Sequence, residues 1–341
     1  LTSPGFLIVA IDKEYFSVLG KDITNALAKA ESQIFAMSET VFNVNSPRQL
    51  SSVLFGKQSL SPKGMHKTPR GVISTASPEL EKLRSLHPVI QEVLNFRELS
   101  KLLNTYVVPL PLLADAESRV HTHFDQWGAA TGRLSSLSPN LQNIPLQGDW
   151  GKKIRRGFVA PRGYQLVSFD YSQMELRLAC HIAQEPKMQK IFKNSEDIHR
   201  TTAAEVFGVT THEVTDEKRY RAKALNFGVL YGMGARGFEE SAKISFEEAQ
   251  QFIDHYFVRF PKIAEYIEKT KEFVQTHGYA QTLFGRRRYL PDIHSLTPQI
   301  RAAAERAAVN FPLKGAAADI MKMAMVKAFP LDRFAFFRPQ N

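Results

Sequence analysis

The chain has 341 residues, with 44 Lys and Arg against 34 Asp and Glu, so its net charge is +10 and the basic excess favours a polyanionic partner, most simply nucleic acid. Apolar residues make up 43% and charged residues 23%, which excludes a disordered chain, and at ~150 residues per domain the length predicts about two modules. Cys180 is the only cysteine, which excludes an intramolecular disulfide and a thiolate zinc cluster and fits a reducing cytosol.

Residues 1 to about 55 read as helix-rich. Ile23, Leu27, Ala30 and Ile34 recur at spacings of three and four, the signature of one helix face. Ser46 before Pro47 predicts a helix start, with serine as the cap and proline at the first helical position. Residues 56–78 mix Gly56, Gly64, Gly71, Pro62, Pro69 and Pro78 with Lys57, Lys63, His66, Lys67 and Arg70. Such a basic loop is either simply solvated, which its composition favours, or a clamp on phosphates. Helical periodicity returns over 79–104 through Leu80, Leu83, Leu86, Ile90 and Leu94. The apolar stretch from Leu102 to Ala114 falls short of the ~20 residues a membrane helix needs, and its Pro109 and Pro111 mark a boundary near residue 115. No signal peptide is visible, and the first residue is Leu1 rather than Met, so the true start is expected upstream. Arg119 to Phe124 alternates like a strand. His121 and His123 share one side of it, but a third metal ligand is not nearby. Gln165 to Asp170 predicts a second strand and Met174 to Ala183 a helix, while 216–232, 246–276 and 298–328 carry the longest helical patterns.

Four segments carry chemistry. In Asp170-Tyr171-Ser172-Gln173-Met174-Glu175-Leu176-Arg177 an apolar run ends in a carboxylate and a helix follows at once. A strand-end aspartate is placed to hold a hard cation, although a turn role for Asp170 and an S-x-x-E capping box for Glu175 explain the same residues structurally. From Asp216 to Gly232, residues Arg219, Lys223, Phe227 and Tyr231 repeat every four positions. Each step of four turns a helix by ~400°, so these side chains form one stripe, cations first and rings last. A triphosphate can meet the cations while its base stacks on a ring. Gly232-Met233-Gly234-Ala235-Arg236-Gly237 matches a dinucleotide fingerprint but follows a helix rather than a strand, so helix termination is the better reading. Thr131 to Pro145 is polar and turn-rich, and Arg133, Asn140 and Gln142 are side chains of the kind that probe base edges and sugars. Arg286-Arg287-Arg288 precedes a helix on which Arg306 and Asn310 share a face.

In order and spacing these segments, with Phe42 to Leu50, resemble the family A DNA polymerases over about residues 5 to 328. The resemblance implies an α+β, right-hand polymerase fold, mostly helical with an antiparallel palm sheet. Residues 1–115 would be the thumb, 116–177 the first part of the palm, 178–292 the fingers, and 293–341 an incomplete return to the palm. It implies a template-directed DNA polymerase with primer-template DNA and deoxynucleoside triphosphates as partners and two Mg2+ ions as cofactors. A monomer in the cytoplasm, nucleoid-associated and without a membrane partner, is expected. Asp170 would be a catalytic and metal-binding residue, and Lys223 a catalytic one that helps protonate the departing pyrophosphate. Gln173, Glu175, His199, Arg219, Lys223, Phe227 and Tyr231 would bind the nucleotide, with Glu175 and Tyr231 forming a gate against a ribose 2′-OH. Arg133, Asn140, Gln142, Arg306 and Asn310 would contact DNA.

The sequence departs from the family in two places. The family's third motif is a His-Asp-Glu on a hairpin, and none of the ten histidines here is followed by Asp-Glu. The second metal-binding aspartate is therefore missing, and the chain alone is expected to extend primers poorly, the alternative being a non-catalytic binder of primer-template and nucleotide. Lys314 stands where the family usually has Gln and Ala316 where it usually has Thr. A lysine cannot accept a hydrogen bond as glutamine can, which puts minor-groove contact there in doubt.

Overall fold

The computed structural model describes residues 6–60, 65–69, 71–146 and 148–328. They divide into two units. The first holds the described residues up to Phe124 together with Ser136–Val167, and the second holds Asp125–Ser135 and the described residues from Ser168 onward.

The first unit is built on a four-stranded sheet of order β3-β2-β1-β4. Strand β1 (Phe6–Ile11) pairs antiparallel with β2 (Arg119–Asp125), Ile8 opposite His121 and Val9 opposite Val120. The helix-rich reading of residues 1–55 overlooks β1, because a six-residue apolar run has no period of its own and only its partner strands decide it. Asp12 ends the strand and caps α1 (Lys13–Ser38), its side chain accepting from the Tyr15 amide at 2.8 Å. The face anticipated from Ile23 to Ile34 is buried, and it extends back to Phe16 and Leu19. Ser46 caps α2 (Pro47–Ser51) with Pro47 in its first turn, as the sequence predicts. The helical pattern over 79–104 is split into α3 (Ser77–Glu81) and α4 (Pro88–Leu102), because Pro88 lacks an N–H and disfavours helical backbone in the residue before it. Two apolar clusters result: Phe16, Leu19 and Ile23 against Leu99, Leu102 and Tyr106, and Ile34, Leu50 and Leu54 against Leu80, Ile90 and Val93. Short helix α5 (Pro109–Leu113), strand β3 (Ser135–Leu137), helix α6 (Asp149–Arg156) and strand β4 (Phe158–Val159) complete the unit. Of the basic loop, Pro62, Lys63, Gly64 and Arg70 lie outside the described residues, and Lys67 bridges Ile73. His121 Nε2 lies 2.6 Å from Asp115 Oδ2, and this pairing, with the Arg119 amide, holds the Asp115 carboxyl below its ordinary range.

The second unit is helical. Its elements are α7 (Met174–Ala183), α8 (Pro186–Lys193), α9 (Ile198–Phe207), α10 (Asp216–Leu230), α11 (Ala235–Ala242), α12 (Phe246–Arg259), α13 (Pro261–His277), a hairpin of β5 (Tyr279–Gln281) and β6 (Arg287–Tyr289), and α14 (Pro298–Ala328). The pattern over 246–276 is two helices, because Pro261 starts a new one. The strand expected over Gln165 to Asp170 is not formed. Among the described residues no strand lies beside it to complete its backbone hydrogen bonds, and Leu166, Val167 and Phe169 are exposed.

The core of this unit joins Leu176 and Ala179 of α7, Leu225 and Val229 of α10, Tyr256 of α12, Ile263 and Tyr266 of α13, and Val309 and Leu313 of α14. Two buried carboxylates fasten it. Glu185 accepts from the Lys187 amide at 3.2 Å and the Lys262 amide at 3.0 Å, tying the starts of α8 and α13. Asp319 accepts from Arg286 Nε and Nη2 at 2.9 and 2.7 Å and from Thr282 Oγ1 at 3.0 Å, tying the hairpin to α14. Asp319 is paired with Arg286, and Glu185 is satisfied by two backbone N–H groups, so each buried carboxylate has hydrogen-bond partners. Among the described residues no helix is long and apolar enough to cross a membrane.

Candidate nucleotide and nucleic-acid site

Helix α10 builds the stripe that its sequence spacing predicts. Thr215 caps it, and Tyr231 ends it through amide bonds back to Phe227 and Gly228. Lys223 is exposed, while Arg219, Phe227 and Tyr231 are half-buried. The rings of Phe227 and Tyr231 lie 6.2 Å apart, tilted by 34°. Gly232 then takes a left-handed backbone (φ 70°) and ends the helix, so the dinucleotide-like glycines act as a terminus.

Glu175 stands at the ring end of the stripe. Its carboxylate accepts hydrogen bonds from the Tyr231 hydroxyl and from the Arg133 guanidinium. The capping box read from Ser172 and Glu175 is not made. Helix α7 begins after Gln173, whose left-handed backbone (φ 52°, ψ 39°) carries no side-chain cap, and Glu175 turns to Tyr231 instead. A carboxylate held by one phenol and one guanidinium keeps a fixed position beside the ring.

At the cationic end, Arg219 Nε donates to Asp197 Oδ2 at 2.7 Å. Asp197 also caps α9, accepting from the His199 and Arg200 amides. Partial burial pushes the Asp197 carboxyl up, but the Arg219 hydrogen bond and those amides outweigh it and hold the group below its ordinary range. His199 is buried, its ring 5.8 Å from that of Phe227. Burial, aided by Arg219 and Lys223, lowers its pKa to about 4 against the opposing pull of Asp197, so the imidazole is neutral at pH 7. Its Nδ1 lies 3.2 Å from Asn226 Nδ2; accepting there leaves the proton on Nε2. His199 therefore offers an N–H donor rather than the full cation of Arg219 or Lys223.

Helix α14 closes the ring end. Asn310 Nδ2 donates to the Tyr231 carbonyl at 3.4 Å, and a Cβ on Gly232 would meet Arg306 Cγ at 2.8 Å. Asn310 Oδ1 is buried and accepts no hydrogen bond among the described residues. Lys314, one turn further on, places its ammonium 4.0 Å from the Tyr231 ring centroid. Arg306, Asn310 and Lys314 thus follow one i, i+4, i+8 line along α14 against the Tyr231–Gly232 turn.

These contacts join Arg133, Glu175, Tyr231, Phe227, His199 and Arg219 of the candidate residues, with Arg306 and Asn310 at the turn. Asn140 and Gln142 belong to the first unit, where both are exposed. Asn140 Oδ1 accepts from the Gln142 amide and Gln142 Oε1 from the Ser136 amide, each at 3.0 Å. Asp170 is exposed on the irregular segment before α7, and among the described residues no hydrogen bond or ion pair links it to Arg219 or Lys223. Nor do the described residues contain a cluster of three or more His, Cys, Asp or Glu able to hold a metal. Asp170 is a hard oxygen donor reachable from solvent, which fits one position of a Mg2+ shell, an ion that commonly takes one or two carboxylates plus substrate phosphates. Two residues bonded to the candidate side chains escape a reading of spacing alone. Asp197 carries the N-cap signal of an acid before a helix, which could have flagged it. Asn226 lies off the stripe, and no local signal marks it.

Residues 13–331 match the family model described as DNA polymerase family A. The chain is 46% identical over 324 residues to the thermostable DNA polymerase I of Thermus aquaticus, covering 94% of this chain and 39% of that one. It is 47% identical over 323 residues to DNA polymerase I of Deinococcus radiodurans, covering 94% and 34%. A solved structure described as the POL domain of Pol1 from M. smegmatis, in complex with DNA primer-template and dNTP, matches with a TM-score of 0.86 and 37% identity over 95% of this chain and 57% of that one. The chain spans about two fifths of the length of the Thermus relative. The α+β, right-hand fold class expected from the sequence agrees with this match.

Proposed function

Because the chain belongs to DNA polymerase family A, we propose that it binds primer-template DNA and a deoxynucleoside triphosphate and adds the nucleotide to the primer 3′ end. The single observation that carries this reading is the α10 stripe, with cations toward its start and rings at its end against Glu175. The primer 3′-hydroxyl gives its proton to solvent as its oxygen attacks the α-phosphorus, the bond to the bridging oxygen of the β-phosphate breaks, and pyrophosphate leaves. Arg219 and Lys223 meet the negative charge that builds on the leaving phosphates, and Lys223 gives the departing pyrophosphate a proton. Phe227 stacks on the incoming base, and His199 donates Nε2–H to a phosphate oxygen. Glu175 and Tyr231 occupy the space a ribose 2′-OH needs. Arg133, Asn140, Gln142, Arg306 and Asn310 contact the primer-template. Mg2+, held in part by Asp170, supplies charge neutralisation of the phosphates when bound. In this reading residues 1–115 act as thumb, 116–177 and 293–341 as palm, and 178–292 as fingers.

Binding is tested by fluorescence anisotropy of the 341-residue chain with a dideoxy-terminated primer-template, Mg2+ and the matching dNTP. A ternary complex lost in Lys223→Ala and Arg219→Ala is expected, and failure to retain the matching dNTP overturns the reading. Turnover is tested by primer extension. The 341-residue chain is expected to extend slowly, because none of its histidines precedes Asp-Glu. Complex formation without any extension favours a non-catalytic binder of the same ligands.

A further inference from the structure

The end of α13 and the hairpin after it carry a cluster of rings that the stripe on α10 does not use. Phe273 and His277 sit one turn apart and stack with centroids 4.2 Å apart and planes 20° from parallel. His277 Nδ1 donates to the Phe273 carbonyl at 2.8 Å, which fixes the imidazole over the phenyl ring. Gly278, with a left-handed backbone (φ 74°), turns the chain straight into β5. Tyr279 therefore meets Phe273 edge-on at 5.6 Å, and directly across the hairpin it faces Tyr289 at 5.8 Å. The Arg287 guanidinium lies 4.6 Å from the Tyr279 centroid.

This cluster faces water. Tyr289 is 70% exposed and Phe273 38%, and His277 and Arg287 are exposed as well. Among the described residues neither Arg287 nor Arg288 pairs with a carboxylate, although Glu272 is exposed beside Phe273. Phe273 also walls an open cavity of about 560 Å³, with Gln184, Lys262, Lys269, Gln281 and Leu283 around it. Glu265 bridges both of those lysines at 2.6 Å, so the cavity is only weakly cationic.

We propose that the Phe273–His277–Tyr279–Tyr289 cluster with Arg287 is a stacking platform for an unpaired DNA strand. Exposed rings with interleaved arginines bind bases through their π-faces. A duplex has those faces already stacked on one another, so the platform selects an unpaired strand, and the +10 chain supplies the attraction to its backbone. The proposal deepens the polymerase reading by assigning a place to an unpaired stretch next to the paired one.

The test compares binding of the 341-residue chain to three fluorescent probes: a single-stranded oligothymidylate, a primer-template with an eight-nucleotide overhang, and the same duplex blunt-ended. Tyr289→Ala and Arg287→Ala change exposed residues, and Tyr289→Trp keeps a stacking ring. Stacking typically contributes enough that Tyr289→Ala is expected to weaken the oligothymidylate complex by roughly 5- to 100-fold, with Tyr289→Trp retaining it. The overhang probe is expected to lose affinity and the blunt duplex to keep it. Unchanged oligothymidylate affinity in both alanine variants overturns the platform, as does an equal loss on the blunt duplex. A platform that binds oligothymidylate in a chain that fails to retain a matching dNTP sinks the polymerase reading alone.

Discussion

The Lys314 ammonium rests on the face of the Tyr231 ring, 4.0 Å from its centroid, while the hydroxyl of that ring donates to Glu175. The departure from the family's usual glutamine is therefore a positioned cation. It cannot accept a hydrogen bond, but it holds the ring from one side while Glu175 holds the phenol oxygen. Lys314→Met keeps the length and removes the charge, and it is expected to lower stability by about 0.5–1 kcal/mol in urea denaturation. Lys314→Arg is expected to stay within a few tenths of a kcal/mol of the parent.

Glu175→Ala removes the acceptor shared by Tyr231 and Arg133. Under the proposed gate, the ratio of deoxy- to ribonucleotide affinity in the ternary complex is expected to fall at least tenfold, a change of about 1.4 kcal/mol. An unchanged ratio measured by nucleotide titration removes the gate from the reading.

His199 makes the unit sensitive to acid. Its folded pKa is depressed to about 4 from the ordinary 6.5, so between these values the unfolded chain binds the proton and the folded chain does not. The neutral form's contribution is complete above pH 6.5 and is lost as pH falls toward 4. Stability is expected to decline by about 1–3 kcal/mol over that window, and His199→Gln is expected to flatten the decline in pH-dependent denaturation.

Gly315 sits where α14 meets the hairpin. A Cβ there would overlap the Thr282 methyl, and Thr282 is fixed by its bond to buried Asp319. Gly315→Ala is expected to cost about 1–3 kcal/mol by thermal denaturation, because Thr282 is held in place. Thr282→Ser in the same chain removes the methyl, keeps the hydroxyl, and is expected to restore most of the loss.

Much of this was legible in the residues. The four-residue stripe on α10 needed only helix geometry, and the Ser46–Pro47 start needed only capping chemistry. What stayed hidden depends on distant partners. Gln165 to Asp170 reads as a short apolar run ending in a carboxylate, but a strand exists only beside another strand, so the pattern could not reveal its exposed, irregular course. Glu175 fits a capping box by spacing, yet a carboxylate chooses the better donors, and Arg133 and Tyr231 lie 42 and 56 residues away. Pro88 and Pro261, by contrast, were readable breaks that periodicity alone passed over. The neutrality of His199 follows from burial, which its sequence neighbours do not disclose.

Helix α14 runs from Pro298 to Ala328 with Pro312 inside it, and its buried residues include the small Ala304, Ala308, Gly315, Ala316, Ala317 and Ala318. Small side chains on that rod leave little slack for it to slide or roll. Arg306 and Asn310 stand before Pro312 and Lys314 after it, so the Tyr231–Gly232 turn is gripped on both sides of the one ladder bond that the proline removes, and a misfit at Arg306 reaches Asn310 before it reaches Lys314.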